Sequence, residues 1–204
     1  VKLLIQNGAY VNAVDKECWT ALHLTAEEGY ADIAKVMIEN VADVNADGRG
    51  TDDIDGVEVE ESRSEEEGVE ERSSDEEEWE SSEEEVQSGV DVNAVQDYGD
   101  WTALHIAAKN GHVDFVKVLV QNGADVNAVD DSQWTALHFA AQNGYADVAK
   151  VLLEYAADVN AVEEEEGKLT ALHFTGWEGF VDVAKVLLQN GADVNAITEY
   201  YRHE

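Results

Sequence analysis

The sequence predicts an all-α solenoid of helix–turn–helix units with short hairpin connections, interrupted by one acidic disordered insertion. Three observations predict it. First, Trp101–Thr102–Ala103–Leu104–His105 returns 33 residues later as Trp134–Thr135–Ala136–Leu137–His138, and stands again at Trp19–His23 and Leu169–His173. Second, Ala-Asp-Val-Asn-Ala recurs in phase at 42–46, 124–128, 157–161 and 192–196. Third, the phase breaks once: Asn45 and Asn93 stand 48 residues apart, across a stretch of Glu and Ser with few apolar residues. A unit of this length cannot bury enough apolar surface alone, so copies must stack.

Residues 97–129 show how each unit is written. Thr102 sits where an N-cap belongs, and Ala103–Asn110 follows as a short helix. Asn110–Gly111 offers a left-handed C-cap. A second helix is expected from Val113 to Asn122, stopped by Gly123, with Val116, Leu119 and Val120 on one face. Asp114 lies in its first turn, where the helix dipole favours negative charge, and Lys117 is placed to pair with it. Asp32, Asp147 and Asp182 repeat the placement, with Lys35, Lys150 and Lys185 beside them. Helices this short are marginal in water by themselves, so stacking must supply the missing burial. The Asp-Val-Asn-Ala phrases, including the one at 42–46, are expected to form the extended connections between units.

The phrase Thr-x-Leu-His-x-Ala-Ala-x-x-Gly at this spacing resembles the ankyrin repeat. Residues 97–129 and 130–162 match nearly throughout, 15–47 match well, 165–197 match with changes, and 1–14 resemble the end of an earlier unit. Where the family usually has Pro after Thr, this chain has Ala, which costs only a little rigidity. Where it has Gly two residues before Thr, this chain has Cys18, Asp100, Gln133 and Lys168. The chain therefore divides into repeats at 1–46, an acidic insertion at 47–88 and repeats at 89–204, with the two blocks expected to pack as one solenoid. Val1 begins partway into a helix and Ile197–Glu204 read as the start of a further unit, so a longer parent array is expected.

Charge bounds the partners. The net charge is −34, and residues 51–86 carry 19 acidic and 2 basic side chains, about half of it. Duplex nucleic acid and anionic membrane surfaces are repelled, and basic partners are attracted. The single cysteine, Cys18, excludes an internal disulfide and fits a reducing, cytoplasmic setting. No apolar run reaches membrane length. The insertion cannot offset its chain entropy by burial, so disorder is expected there, with order resuming near Gly89. Ser64, Ser73, Ser74, Ser81 and Ser82 each have a carboxylate three residues downstream, similar to sites of acidophilic casein-type kinases. Thr51–Gly56 resembles the start of a calcium loop, but Thr51 and Ser62 stand at its first and twelfth ligand positions, so no metal is expected.

Catalysis is not expected. His23, His105, His138 and His173 would lie one helix-packing distance apart, on the order of 10 Å, whereas metal ligation needs roughly 2 Å. Their expected role is to bond backbone and hold adjacent turns. No nucleophile triad, phosphate-cradling glycine loop or cofactor motif occurs. The expected function is non-catalytic recognition of a protein or peptide, basic or amphipathic, by a monomer. The ankyrin resemblance implies that hairpin tips and first helices carry recognition. Carried over residue by residue, this names Lys16, Glu17, Trp19, Glu27 and Glu28 in the first full unit, Tyr98, Trp101, Lys109 and Asn110 in the next, then Asp131, Ser132, Trp134, Gln142 and Asn143, and finally Glu166, Leu169, Trp177 and Glu178. Trp19, Trp101 and Trp134 are expected either as a recognition ladder that Leu169 extends or as braces of the turn, since the resemblance implies that Trp is common at this position. Two alternatives stand beside this: capture of basic proteins by the insertion, or a targeting module of a larger catalytic protein. The resemblance also implies asparaginyl hydroxylation at Asn127, Asn160 and Asn195, each eight residues after a leucine.

Overall fold

A computed structural model describes residues 2–7, 9–46, 89–164 and 167–198. The expected insertion at 47–88, with its five serine sites, lies outside the described residues. The helices among the described residues are α1 (Lys2–Gln6), α2 (Ala21–Glu28), α3 (Ala31–Ala46), α4 (Ala103–Lys109), α5 (Val113–Gln121), α6 (Ala136–Gln142), α7 (Ala146–Glu154), α8 (Ala171–Glu178) and α9 (Val181–Gln189). They stack in two rows. In one row α2, α4, α6 and α8 pack in succession, and in the other α1, α3, α5, α7 and α9 do so. This is the predicted all-α solenoid, and α2 packs on α4 across the insertion.

The sequence phrase explains the core. Leu22, Leu104 and Leu137 are buried, as are Leu119, Leu152 and Leu187 from the second helices. Ala107, Ala108, Ala140 and Ala141 are fully enclosed, which lets the first helices approach closely. The rings of His112, Tyr145 and Phe180 lie over Gly29, Gly111 and Gly144 of the preceding unit, where a Cβ would come within 2.8 Å of the ring. Lys117 and Lys185 pair with Asp114 and Asp182 at 3.3 and 3.0 Å. Lys35 instead reaches Glu39 at 3.9 Å. All three pairs are exposed and add little stability.

Each unit opens with a hairpin. Antiparallel bridges join Val14 to Thr20, Val95 to Thr102, Val129 to Thr135 and Val162 to Thr170. The tips hydrogen-bond to their neighbours: the Asp97 amide donates to the Glu17 carbonyl, and the Asp131 amide to the Gly99 carbonyl. Cys18, Asp100, Gln133 and Lys168 adopt φ of 57°, 53°, 62° and 61°. The left-handed turn is therefore kept without glycine, at about 1 kcal/mol per residue.

Asparagine amides tie consecutive units. Asn93, Asn127 and Asn160 each accept from the aspartate amide of the next unit (Asp125, Asp158, Asp193) at 2.8 Å. Asn12 behaves likewise, but its partners are Asp91 N–H at 3.0 Å and the Gly89 carbonyl at 2.7 Å. The segment at Gly89–Ala94 thus fills the place expected for 42–46. The expectation for that earlier phrase is corrected: Ala42–Ala46 is the last part of α3, which is 16 residues long where α5, α7 and α9 have 9. The reason lies at one position. Those three helices end two residues before Gly123, Ala156 and Gly191, at φ of 88°, 67° and 89°. The equivalent residue of α3 is Val41, whose branched Cβ resists the left-handed region, so the helix runs on.

The four histidines join units too. Thr20, Thr102, Thr135 and Thr170 cap the first helices, and each donates its backbone N–H to Nδ1 of the histidine three residues on, at 3.0–3.1 Å. With Nδ1 accepting, Nε2 carries the proton and donates to Ala94, Ala128, Ala161 and Ala196 carbonyls of the following connection, at 3.0, 2.9, 3.0 and 3.2 Å. Burial pushes His105 and His138 down to about 4, although their carbonyl partners pull the other way. His23 is lowered for the same reason.

Three outcomes are expected. Ala156→Gly removes a left-handed Cβ and raises the unfolding free energy by about 1 kcal/mol, read from the urea midpoint. Val41→Gly ends α3 near Glu39, so the Cα chemical shifts of Ala42–Ala46 leave the helical range while those of Ala31–Glu39 stay. The unfolded chain protonates His105 and His138 near their ordinary 6.5, the folded chain only near 4. Their stabilisation is complete above that ordinary value and is lost as pH falls through this window, by up to about 1.4 kcal/mol per pH unit for each ring. Urea melts at stepped pH check this; His138→Gln should lower stability at pH 7 and flatten the slope.

Candidate partner-binding surface

Hairpin tips and the first-helix row form one continuous face, and the side chains named above divide on it by depth. Trp19 and Trp101 are half-buried, and Tyr98 is 75% exposed. Gln142, Trp177 and Glu178 are exposed further along, on α6 and α8. Trp134 and Leu169 are not available: they are 7% and 0% exposed. The expected aromatic ladder therefore ends after Trp101. Trp134 is held between Phe139 at 5.1 Å and Phe174 at 4.5 Å, and Leu169 belongs to the same core.

The residue after each histidine faces the tip of the unit before. Phe139 and Phe174 follow His138 and His173 and pack against the tryptophan of the unit before, Trp101 at 4.7 Å and Trp134 at 4.5 Å. After His105 comes Ile106, so Trp19 has no aromatic ring from the next unit against it among the described contacts. A groove of about 400 Å³ opens there. Trp19, Gln96, Tyr98 and Trp101 supply the hairpin side, and Glu27, Ile106, Lys109 and Asn110 the helix side. Gln96 and Ile106 were not expected in the site. The signal for Ile106 was the non-aromatic side chain after His105, facing a tryptophan one unit away, and for Gln96 its place in the hairpin where Asp15 and Asp130 stand in other units.

Local hydrogen bonds set the groove walls. Gln96 Nε2 donates to the Tyr98 carbonyl at 2.8 Å, which holds the longer second hairpin. His112 Nε2 donates to the Glu27 carbonyl at 3.0 Å, and Asn110 Nδ2 reaches the same oxygen at 3.4 Å. These bonds close the helix ends of two units that lie on opposite sides of the insertion. The Lys109 ammonium rests 4.4 Å from the Trp101 ring centroid. Beside the groove, a hydrogen bond from Cys18 to Asp97 and partial burial raise the Cys18 thiol above its ordinary value, so it stays protonated.

Asn127, Asn160 and Asn195 are exposed, on the asparagine ladder. The first two have both amide atoms engaged by the next unit: Asn127 with Ala156 and Asp158, Asn160 with Gly191 and Asp193. Among the described residues no group of three histidine, cysteine or acidic side chains converges on a possible metal position. No helix among them is long and apolar enough to cross a membrane.

Comparison with known proteins agrees with this architecture. A model of ankyrin repeats in three copies matches residues 83–163, and a single ankyrin-repeat model matches 17–49 and 168–199. Ankyrin repeat domain-containing protein 40 of Mus musculus is 50% identical over 40 residues, 20% of this chain and 11% of that protein. Alpha-latrocrustotoxin-Lt1a of Latrodectus tredecimguttatus is 51% identical over 45 residues, 22% of this chain and 3% of the toxin. Protein phosphatase 1 regulatory subunit 27 of Homo sapiens is 44% identical over 46 residues, 22% of this chain and 30% of that protein. Each similarity spans less than a third of the relative. Ankyrin repeats serve protein–protein interaction, and the matched segments together span well over half of this sequence, so the chain belongs to the ankyrin-repeat family.

Proposed function

We propose that this chain is a non-catalytic recognition module that binds an extended, basic or amphipathic segment of a protein partner along its hairpin–helix face. The groove at Trp19, Tyr98 and Trp101 carries the reading. It combines large aromatic surface with the Glu27 carboxylate on a surface already ordered by the fold, so little entropy is lost on binding. The net charge of −34 favours a cationic partner and speeds its approach. Protein phosphatase 1 regulatory subunit 27 is, by its name, a regulatory partner of another protein, which fits such a role. Exposed Gln142, Trp177 and Glu178 extend the same face toward α8. The module acts as a monomer, in the cytoplasm.

A second reading rests on residues 51–86, whose charge alone attracts basic proteins. In a third, the repeats target a larger catalytic protein. Casein-type phosphorylation of Ser64, Ser73, Ser74, Ser81 and Ser82 would deepen the negative field. Asparaginyl hydroxylation of Asn127, Asn160 or Asn195 would appear as a gain of one oxygen in the intact mass after incubation with the hydroxylase.

Pull-down from lysate at moderate salt, with the intact chain and a 51–86 deletion, separates the first two readings. The deletion should keep the partner, because exposed charge is screened within about 8 Å at physiological ionic strength while aromatic burial is not. Trp19→Ala and Trp101→Ala should each weaken capture about tenfold or more, with helical content retained. Loss of capture on deletion, with the two tryptophan variants binding as the parent does, assigns recognition to the insertion instead.

A further inference from the structure

We propose that the groove between Trp19 and Trp101 is a subsite for one arginine side chain of the partner, and that Lys109 is an internal placeholder for it. The proposal rests on reading the hairpin–helix face as the recognition surface, and it names the chemistry one position of that surface accepts.

Lys109 is the last residue of α4 and is exposed. Among the described residues it forms no ion pair, although the chain holds 46 acidic side chains against 12 basic ones. Its ammonium lies instead over the face of Trp101, 4.4 Å from the centroid. Glu27 lines the same groove, and its carboxylate has no ion-pair partner among the described residues. An aromatic face already occupied by a cation, in a groove that an acidic residue also lines, marks a cation position. The occupant in hand satisfies only half of it.

Arginine fits both halves. A planar guanidinium stacks on indole, sheds water more readily than an ammonium, and offers a fork of N–H donors to a carboxylate. Trp19, Tyr98 and Trp101 supply ring surface, and Ile106 supplies an apolar floor for the methylene stem. To enter, the guanidinium must displace the Lys109 ammonium from Trp101. The two cations compete for one ring and repel each other while both are near. The lysine therefore weakens arginine binding, and in the empty state it covers an aromatic surface that would otherwise face water.

The test uses the intact chain at about 0.15 M salt, where long-range attraction is screened. The probe is the peptide acetyl-Gly-Leu-Arg-Leu-Gly-amide, with a second peptide in which neutral citrulline replaces arginine. The indole N–H signals of Trp19 and Trp101 are followed by heteronuclear NMR. The arginine probe should shift both signals in a saturable way, and the citrulline probe should bind roughly two- to fivefold more weakly or worse. Lys109→Ala should tighten the arginine probe by about two- to fivefold. Glu27→Gln, a change at an exposed position that leaves the fold intact, should weaken it.

Equal response to the two probes, or no shift at millimolar probe, overturns the subsite. An arginine probe that binds Lys109→Ala no more tightly than the parent overturns the placeholder role. A preference for arginine that survives in Trp101→Leu assigns it to the general acidic field and also overturns the proposal. Failure here is distinct from failure of the surface reading. A lysate partner lost on Trp101→Leu but indifferent to Lys109→Ala and Glu27→Gln leaves the face as the recognition surface and removes only the arginine subsite.

Discussion

The clasp between each capping threonine, its histidine and the next connection is the interaction on which the stack depends. It performs three tasks with one ring. Nδ1 accepts the Thr N–H that a helix start leaves unpaired, Nε2–H reaches the carbonyl of the following unit, and the ring fills core space between them. Local helix start and long-range stacking are therefore coupled. A unit that loses its neighbour also loses a partner for its own cap. Both bonds require the neutral tautomer, and burial of His23, His105 and His138 favours it there.

This coupling explains how the solenoid tolerates its interruption. His23 finds the Ala94 carbonyl, Asn12 finds Gly89 and Asp91, and His112 finds Glu27, all across the insertion. The His23 and Asn12 contacts are those that uninterrupted neighbours make, and the His112 bond is particular to this junction. The stack is defined by these donors and acceptors and not by chain continuity, because loop-closure entropy grows only slowly with loop length. The chain carries its connecting phrase twice around the insertion, at 42–46 and 90–94, and the clasp takes the second. Val41 decides against the first by withholding the left-handed stop.

The same neighbour rule shapes the recognition face. The tryptophans at the tips differ in what packs on them from their own and the next unit. Phe174 packs on the buried Trp134, Phe139 packs on the half-buried Trp101, and Ile106 lines a groove beside Trp19. Tips at equivalent places in the repeat thus differ in what they can offer a partner, and the groove forms at the junction that also bears the insertion.

Much of the fold was legible in the residues themselves. Periodicity located the units, threonine and glycine marked helix ends to within about one residue, and the alanine pairs marked the close-packed row. These features are local: caps, turns and apolar spacing act within a few residues of themselves. The candidate site was legible only in outline. Trp19, Tyr98, Trp101 and Lys109 do meet at one groove, but Trp134 and Leu169 read as surface and are core, Trp134 under Phe174 of the next unit and Leu169 within the common core. The run-on of α3 was missed for a related reason: the phrase at 42–46 reads as a connection, while the left-handed stop before it is absent. Sequence alone determined that units exist, what each looks like and that they must stack. Which copy of a repeated phrase is used, and which aromatic side chain faces a partner, only the tertiary structure decided, since identical segments compete for one set of hydrogen bonds and neighbours settle the outcome.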